Sequence, residues 1–556
     1  MSAFREISEL GEALAGTKKK LEQRALIANY LKSLPAEEIP IAARLVIGRV
    51  FPESDGGILN MSGSAINRVL TDMTGEMDRD KVSGAVDFGE AVEKWLILRK
   101  HQARGQPLGL AEVFRAYEDI AGDEGSGSRE RKERHLRELF ERATPLEAKY
   151  LVKQVTQETR VGVGEGVLLD AIADASGVEG KKIRRANQVS GDVGQVARTA
   201  IIEGEPGLAR MEIRVGVPLK PMLAQSAENV RDACDKLQGG DAAEEWSAPK
   251  FALEYKLDGA RIQIHKRGEE VKLFSRNLSD LSGSLPEIID SVRREIRATN
   301  AILEGEVIAV SDSGRPRPFQ DVMRRVGRER RVAELQDELP VQLFLFDALL
   351  VDDEIILDAP NETRWEKLQA VRGNTACVER LLPFGVNEAE AFLKRAREAG
   401  HEGLMAKSLA SPYLPGERGR HWLKIKPVIT LDLTIVAADW GYGRRTGWLS
   451  NLHLAARERE SGELLEVGKT FKGLTDAEFK VLTEKLLETK TSEKRGTVFV
   501  KPSIVVEVAF NNVQRSTRYK GGVALRLARI VNFRPDKTVN DIETIQTLRE
   551  MLARDG

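Results

Sequence analysis

The sequence predicts a multidomain chain with an all-α domain, an α+β domain and a small C-terminal β-barrel. Its 556 residues are enough for roughly three domains with separate cores. Apolar residues recur at helical spacing through the first 215 residues, whereas alternating, β-branched runs begin only later in the chain. We therefore place the three domains at 1–215, 216–428 and 429–556.

The first block is predicted to consist of successive helices. Segments such as 9–34 and 136–155 carry apolar residues three and four positions apart, with polar connections between them. The glycine, serine and charge content of Gly122–Lys132 is typical of an exposed loop between helices. Two prolines in VPLKPMLAQ, residues 217–225, mark the boundary to the next block.

The other two blocks differ in their pattern. Residues from 226 to 428 alternate predicted strands with predicted helices. After KPVIT, residues 426–430, the chain continues as short alternating strands with one helix around Asp476–Glu488. These strands indicate a small β-barrel of the OB type.

Composition limits the class of protein. The chain has 85 basic and 86 acidic residues, so any surface for a polyanion must be local. Its two cysteines, Cys234 and Cys377, cannot form a four-cysteine zinc site or a disulfide framework, which favours a reducing compartment. Neither an apolar signal core nor a run of eighteen apolar residues occurs, and we predict a soluble, cytoplasmic protein.

The most informative stretch is FALEYKLDGARIQIH, residues 251–265, which contains a K-x-D-G core. It predicts a strand, a turn at Asp258-Gly259 and a second strand, with Glu254, Lys256 and Asp258 on one face. A lysine between two carboxylates at a glycine turn is either a nucleophile or an ion pair. The ion pair is the commoner case for an isolated four-residue motif.

Five later segments supply the other groups that nucleotidyl transfer to a lysine requires. Taken singly, each is more typical of a solvated strand face or a core position, but their fixed order favours a shared function. They are Ser275-Arg276-Asn277, LEGEVIA with Glu304 and Glu306, LFLFDALL with Phe346, EGLMAK with Glu402 and Lys407, and WLKIKP with Lys424 and Lys426.

With these motifs the chain resembles the ATP-dependent DNA ligases of archaeal and eukaryotic type over nearly its full length. The resemblance implies a helical DNA-binding domain, an adenylation domain and an OB-fold domain. It also implies that Lys256 takes AMP from ATP, that AMP passes to the 5′-phosphate of a nick, and that the 3′-hydroxyl then displaces it. Such enzymes act in replication, repair and recombination. The implied cofactors are ATP and Mg²⁺, with Mn²⁺ as a substitute, and the implied partners are nicked duplex DNA and a sliding clamp, for a monomer.

The chemistry accounts for the neighbouring charges. An ammonium has no lone pair, so Lys256 must lose a proton, and desolvation or nearby cations must overcome its ordinary pKa of roughly 10.4. Cationic candidates for this field and for phosphate contacts are Arg261, Arg276, Lys424 and Lys426. Mg²⁺ prefers one or two carboxylates, and Glu306 and Glu402 are the candidates.

The family resemblance implies further roles within this pocket. It places Glu306 near the ribose and the metal, Glu402 at a metal, Phe346 on the adenine ring and Glu254 at the adenine edge. It also implies that Arg420 and Lys426 reach the phosphates.

Two other regions carry expectations from the family. The segments 159–175 and 190–197 resemble its DNA-binding domain, where glycines near helix ends leave N–H groups for phosphates. Without the resemblance, helix packing or termination would be the favoured explanation of such glycines. The candidates are Gly162, Gly164, Gly166, Gly191 and Gly194.

The C-terminal stretch from Glu507 to Lys537 has seven basic and two acidic residues, a net charge of +5. Its RPDK sequence, residues 534–537, resembles the last nucleotidyltransferase motif, so Arg526, Arg529 and Lys537 would orient the pyrophosphate leaving group. Asp432 is a predicted hinge. LRLAR, residues 525–529, replaces the usual Arg-Phe-Pro-Arg sequence, and VDDE, residues 351–354, lacks the glycine common after the Phe-Asp strand.

Alternatives remain open. An RNA ligase or a GTP-using capping enzyme would share the lysine chemistry but not usually the long helical block, and an NAD-dependent ligase would normally bring a four-cysteine zinc site. From another class, a non-catalytic scaffold that encircles DNA would not need Lys256 ringed by charge.

Overall fold

The computed structural model describes all residues except 1, 54–56, 79, 160, 240–244, 312–313, 329–330, 427–428, 443–444, 495 and 555–556. Pro427 and Val428 of the predicted linker, and with them the predicted boundary at 428, lie outside the described residues. The chain has a helical N-terminal region, a mixed middle region and a β-rich C-terminal region.

The N-terminal region is helical, as predicted. Its helices share one core around side chains such as Phe4, Tyr117 and Phe140, each fully buried. The helices are α1 (Phe4–Ala15), α2 (Lys20–Ser33), α3 (Ile39–Val46), α4 (Gly63–Thr74), α5 (Phe88–Leu98), α6 (Leu110–Gly122), α7 (Ser128–Arg142), α8 (Pro145–Val155), α9 (Glu165–Ser176), α10 (Gly180–Ser190) and α11 (Val193–Leu208).

Local sequence explains where some of these helices begin. Thr144 caps α8, because its hydroxyl accepts from the Glu147 N–H at 3.3 Å and the Glu147 carboxylate accepts from the Thr144 N–H at 2.8 Å. The loop predicted for Gly122–Lys132 is shorter, since α7 already begins at Ser128. Lys132 is buried and donates to the Leu59 carbonyl at 3.0 Å, so the prediction was wrong for the end of this stretch.

The middle region alternates strands and helices. Its elements are β1 (Leu223–Ala227), α12 (Val230–Gln238), β2 (Phe251–Lys256), β3 (Ala260–Arg267), β4 (Glu270–Ser275), α13 (Pro286–Glu295), β5 (Asn300–Ala309), α14 (Phe319–Arg325), α15 (Val332–Glu338), β6 (Val341–Val351), β7 (Glu354–Ile355), α16 (Asn361–Val371), β8 (Ala376–Cys377), β9 (Arg380–Leu381), α17 (Val386–Glu398), β10 (Gly403–Ser408) and β11 (Arg418–Ile425).

Two sheets form the middle region. One has the strand order β1-β11-β10-β2-β9, and the other has β4-β3-β5-β6-β7 with β8 paired to β6. The Asp258-Gly259 turn therefore carries the chain from one sheet to the other. A Cβ atom on Gly259 would lie 2.3 Å from the Val307 carbonyl oxygen, so only glycine lets this turn pack against β5.

The C-terminal region is rich in strands. Its elements are β12 (Ile429–Trp440), β13 (Leu449–Arg457), β14 (Leu464–Thr470), α18 (Asp476–Glu488), β15 (Lys490–Lys494), β16 (Thr497–Val500), β17 (Val505–Phe510), β18 (Asn512–Arg515), β19 (Val523–Arg526), β20 (Arg529–Phe533) and α19 (Ile545–Arg554).

Pairing in this region centres on the long strand β12, which pairs with β13, β16 and β17. The predicted helix at Asp476–Glu488 is confirmed, whereas α19 was not predicted. Among the described residues the strand pairing does not close into a barrel, so the OB type stays a prediction. Over the same residues, no helix combines the length and the apolar character that a membrane crossing requires.

Candidate active site

Lys256 lies at the end of β2, where it can be reached from solvent. Its Nζ forms an ion pair with one carboxylate oxygen of Glu402, and the Nζ of Lys426 pairs with the other oxygen. The three side chains are 23, 14 and 25% exposed for Lys256, Glu402 and Lys426. One carboxylate thus holds the lysines of two separate motifs.

The backbone at Gly403 brings Glu402 to this position. Gly403 has φ +152°, and a Cβ atom there would lie 2.1 Å from the Ile425 carbonyl oxygen. Glycine therefore allows β10 to approach β11 closely. The Glu402 N–H also donates to the Lys256 carbonyl at 3.1 Å, which joins the two segments directly.

Asp258 and Glu306 complete what we call the lysine cluster: Asp258, Glu306, Glu402, Lys256 and Lys426. Burial raises the pKa of Glu306 to about 7, and the nearby carboxylates of Asp258 and Glu402 add to that rise. Burial and Glu402 likewise raise the pKa of Asp258. For Glu402, burial is outweighed by Lys256 and Lys426, which hold the pKa of its carboxyl below the usual range.

Further cations surround the lysine cluster. Burial, together with Arg418, Lys256, Lys426 and Arg276, lowers the pKa of Lys424. Lys424 has no ion-pair partner within the part of the chain that the structure describes. Arg276 and Arg420 are both exposed, and Arg276 lies close enough to Lys424 to affect its pKa.

Next to this site lies a second group of charges, the buried cluster: Glu254, Asp347, Arg364, Arg380 and Lys407. Glu254 accepts from Arg380 at 2.9 Å and pairs with Lys407 at 2.5 Å, and Arg364 binds Asp347 with two bonds of 2.8 and 3.0 Å. Its side chains are 0 to 8% exposed. Burial lowers the pKa of Lys407, whereas Arg364 holds the pKa of Asp347 low in spite of burial.

Two aromatic rings line one side of the buried cluster. The Lys407 Nζ lies 4.6 Å from the centre of the Phe346 ring and 4.5 Å from that of Trp422, and these two rings meet edge to face. The Arg261 guanidinium lies 5.3 Å from the Phe346 ring centre on the same wall. A planar base stacked on Phe346 would lie near Glu254, because Lys407 contacts both residues.

Arg261 is more constrained than a free phosphate clamp would be. Its Nε donates to Glu304 at 2.6 Å, its Nη1 to the Met222 carbonyl at 2.7 Å and its Nη2 to the Tyr413 hydroxyl at 3.1 Å. A guanidinium has five N–H donors, so two of them form no hydrogen bond with the described residues and can bind a ligand.

The three C-terminal candidates do not all lie at the candidate site. Arg526 lies 3.5 Å from Asp258 and stacks on Phe319 at 4.3 Å, so it borders the lysine cluster. Lys537 instead forms an ion pair with Asp432, which Arg534 also binds at 3.1 Å. The exposed Arg529 contacts no member of the lysine cluster among the described residues. The arrangement thus brings Arg526, but not Lys537, to the candidate site.

The candidate glycines differ in whether packing or backbone conformation explains them. Gly164 precedes α9, and a Cβ atom on Gly164 or Gly166 would meet nothing within 4 Å, so packing does not explain these two glycines. Gly162 and Gly191 have φ of +74° and +68°, which the backbone turns explain. A Cβ atom on Gly194 would lie 2.4 Å from the Pro40 carbonyl oxygen, so packing explains that glycine.

The carboxylates of the lysine cluster suit a hard divalent cation. The described residues contain no group of three or more His, Cys, Asp or Glu side chains already arranged around a metal position. Mg²⁺, however, usually takes only one or two carboxylates and completes its shell with water and phosphate. Burial is the main cause of the raised pKa of Glu306, and a bound cation would favour the ionised form of this carboxyl.

Sequence reasoning missed several residues of this region. Arg364, Arg380 and Tyr413 belong to no recognised motif, and Lys407 and Trp422 were noted only as members of motifs. The sequence around the two arginines carries no signal that marks them, since Arg364 lies in a helix rich in polar residues and Arg380 begins a two-residue strand after Glu379.

Comparison with known proteins gives consistent matches along the chain. Residues 221–426 match the model of the ATP dependent DNA ligase domain, residues 3–173 that of the DNA ligase N terminus, and residues 445–537 that of the ATP dependent DNA ligase C terminal region. The DNA ligase 1 of Korarchaeum cryptofilum is 42% identical over 553 residues, which cover 99% of this chain and 98% of that protein.

A second relative and a solved structure agree with this. The DNA ligase of Thermococcus fumicolans is 38% identical over 558 residues, which cover 99% of this chain and 98% of that protein. A solved structure designated Pmar-Lig_Pre has a TM-score of 0.57 at 16% identity and covers 95% of this chain and 99% of that one, which is a similarity of fold.

Proposed function

The chain belongs to the ATP-dependent DNA ligase family, and we propose that it seals single-strand nicks in duplex DNA through lysyl-AMP and DNA-adenylate intermediates. The observation that carries this proposal is the position of Lys256. The lysine of the K-x-D-G motif is solvent-accessible, paired to Glu402 and surrounded by the carboxylates and cations of the lysine cluster.

In the first step Lys256 acts as the nucleophile. After losing a proton, its Nζ forms a bond to the α-phosphorus of ATP, and the bond from that phosphorus to pyrophosphate breaks. Glu402 orients the Lys256 side chain before attack, and Lys424 and Lys426 bring positive charge to the phosphate oxygens. The base is placed against Phe346, with Glu254 at its edge.

Glu306 and Glu402 are the carboxylates that would hold a divalent cation. When bound there, Mg²⁺ or Mn²⁺ would neutralise the charge that develops on the phosphate oxygens. Glu306 would ionise to receive it, because its pKa of about 7 leaves the carboxyl partly protonated at neutral pH.

The next two steps occur on DNA. The nick's 5′-phosphate displaces Lys256 from the α-phosphorus to give a DNA-adenylate, and Lys256 leaves as the free amine. The adjacent 3′-hydroxyl then attacks the 5′-phosphate, AMP departs and the strand is continuous. Lys256 is therefore free again for a second ATP.

The proposed roles of the other two regions follow from the family. We assign DNA backbone binding to the helical region, with Gly164 and Gly166 as its best-supported contacts because open space surrounds them. The C-terminal region is proposed as an OB-type domain in which Arg526 acts nearest the leaving group. A monomeric state and docking on a sliding clamp stay predictions.

The test uses labelled nucleotide. Purified protein, first checked to be free of AMP, is incubated with α-labelled ATP and Mg²⁺, with GTP and NAD in parallel, and then chased with nicked DNA. We expect a covalent label from ATP that moves into sealed DNA, no label in Lys256→Ala and normal labelling in Lys272→Ala, an exposed lysine on β4.

The other outcomes identify the alternatives. Label from GTP, or label that chases only onto RNA, would move the protein to another branch of nucleotidyltransferases. Covalent AMP on Lys256→Ala would contradict the assignment of the nucleophile.

A further inference from the structure

One face of β3 holds the chain that leads from the helical region into the middle region. The connecting segment, residues 215–222, is bound through its backbone by every second side chain of β3. Arg267 donates to the Val215 carbonyl at 2.7 Å, His265 accepts from the Gly216 N–H at 2.9 Å, and Gln263 accepts from the Leu219 N–H at 2.8 Å. Arg261 completes the series at Met222.

The hydrogen positions along this series follow from the contacts. Because the Nδ1 of His265 accepts from Gly216, its Nε2 carries the proton and donates to the Gln263 side-chain oxygen at 2.9 Å. The Gln263 amide nitrogen is then free to donate to Glu304 at 2.8 Å. Burial lowers the pKa of His265 to about 3, so the ring stays neutral.

The hydroxyl of Tyr413 joins this network to Arg261. It donates to Glu304 at 2.9 Å, and it accepts from the Met222 N–H at 3.0 Å and from the Arg261 Nη2 at 3.1 Å. Tyr413 is fully buried and meets Trp422 edge to face at 5.8 Å. One oxygen atom therefore contacts the guanidinium and two of its neighbours, Glu304 and the Met222 backbone.

Arg261 is fixed on both edges as a result. Glu304 accepts from its Nε, the Met222 carbonyl accepts from its Nη1 and Tyr413 accepts from its Nη2, which sets the plane of the guanidinium beside the Phe346 ring. Without the tyrosine oxygen, the Nη2 end would lose its anchor, and Glu304 would lose one of its donors.

We infer that Tyr413 is a positioning residue for nucleotide binding, which acts by holding Arg261 in one orientation. This inference rests on the proposed function, because it requires that the nucleotide lies against Phe346 and Arg261. The two N–H groups of Arg261 that remain are then oriented before the nucleotide arrives, so binding does not have to order them.

The first test compares Tyr413→Phe with the wild type in lysyl-AMP formation. A hydrogen bond to a charged group supports an expected rise in the KM for ATP of about 10-fold or more, with kcat changed by less than about 3-fold. Tyr117→Phe is the matched control, since Tyr117 is equally buried and its hydroxyl has no hydrogen-bond partner among the described residues.

A double-mutant cycle separates positioning from general support of the fold. In an Arg261→Met background, Tyr413→Phe should have little further effect on nucleotide affinity, because the group it positions is gone. Arg267→Met, at the far end of the same series, should leave the KM for ATP unchanged. An unchanged KM in Tyr413→Phe, or equal losses with and without Arg261, would overturn the inference.

A binding measurement keeps this inference apart from the proposed function. The affinity for α,β-methylene-ATP, measured by calorimetry, does not depend on transfer of AMP. Weaker binding of this analogue by Tyr413→Phe supports the inference even if the wild type forms no lysyl-AMP, an outcome that would contradict the proposed function alone. Equal binding by the two proteins would contradict the inference alone.

Discussion

Two groups of five charged side chains lie close together in the middle region, and they differ in how their charges are compensated. In the buried cluster each carboxylate has a cationic partner, and the side chains are at most 8% exposed. In the lysine cluster three carboxylates meet two lysines, and four of the side chains are 14 to 25% exposed.

The pKa directions show what this difference means. In the buried cluster Arg364 keeps Asp347 ionised in spite of complete burial. In the lysine cluster Glu306 and Asp258 are pushed toward the neutral form. Asp347 has a bidentate cationic partner that offsets its burial, whereas burial outweighs the cations near Glu306 and Asp258, which marks the lysine cluster as the place where an external ion or substrate is accommodated.

The largest expected effect on stability belongs to the buried cluster. Arg364→Met leaves Asp347 buried without its partner, and we expect a loss of about 3–5 kcal/mol in the free energy of unfolding. Urea unfolding followed by tryptophan fluorescence measures this loss. Arg324→Met, which breaks the exposed pair with Glu338, should cost less than about 1 kcal/mol. Equal losses in the two variants would contradict the comparison.

Lys424 tests the opposite property of the lysine cluster. Lys424→Met removes a cation that has no ion-pair partner among the described residues, so the free energy of unfolding should change by less than about 0.5 kcal/mol. Lysyl-AMP formation should nevertheless fall by about 100-fold, because a positive charge near the phosphates is lost. A variant that loses stability but keeps its rate would place Lys424 with the structural charges.

Cation binding should follow the ionisation of Glu306. With a pKa of about 7, Glu306 carries a proton at low pH that a divalent cation must displace, so affinity should increase with pH and level off above about 7. We expect Mn²⁺ affinity, measured by electron paramagnetic resonance, to rise by up to about 10-fold per pH unit between pH 5.5 and 7.

Two variants test whether Glu306 causes this pH dependence of cation binding. Glu306→Gln should flatten the pH dependence, while Glu379→Gln, at an exposed position outside the lysine cluster, should keep the wild-type curve. The assignment fails if Glu306→Gln titrates like the wild type.

The smallest effect is expected at Lys537, whose partner Asp432 is also held by Arg534. Lys537→Met should cost less than about 1 kcal/mol, because the pair is partly exposed and Asp432 keeps one cation. If Lys537 orients the leaving group, Lys537→Met slows lysyl-AMP formation but not the sealing of a pre-adenylated nick. The control Lys520→Met, which breaks an exposed pair with Glu463, should change neither rate.

The two clusters also differ in how far the sequence predicted them. Lys256, Glu306, Glu402 and Lys426 stand in short motifs whose chemistry is recognisable, and the structure brings all four together. Arg364 and Arg380 stand outside any motif, and their importance depends on strands and helices that meet only in the folded chain. Charge pairing of this kind leaves no local pattern.

The order of helical and strand-rich regions was also only partly predictable from the sequence. Helical spacing predicted the N-terminal region, and alternation predicted the strands of the C-terminal region. Closure of a barrel depends on strand register, which alternation does not set. The two prolines of the connecting segment suggested a boundary, although its backbone is bound along the whole face of β3.

That attachment has a consequence for dissecting the protein into independently folding pieces. A fragment that began at Leu223 would remove the backbone groups that satisfy the buried side chains of Gln263 and His265. A fragment that began before Val215 would keep them, although it would lose contacts with the helical region such as the ion pairs of Lys220 with Glu53 and Glu165, the ion pair of Arg185 with Asp358 and the packing of Val189. The shortest soluble piece that retains nucleotide binding should therefore start upstream of the connecting segment.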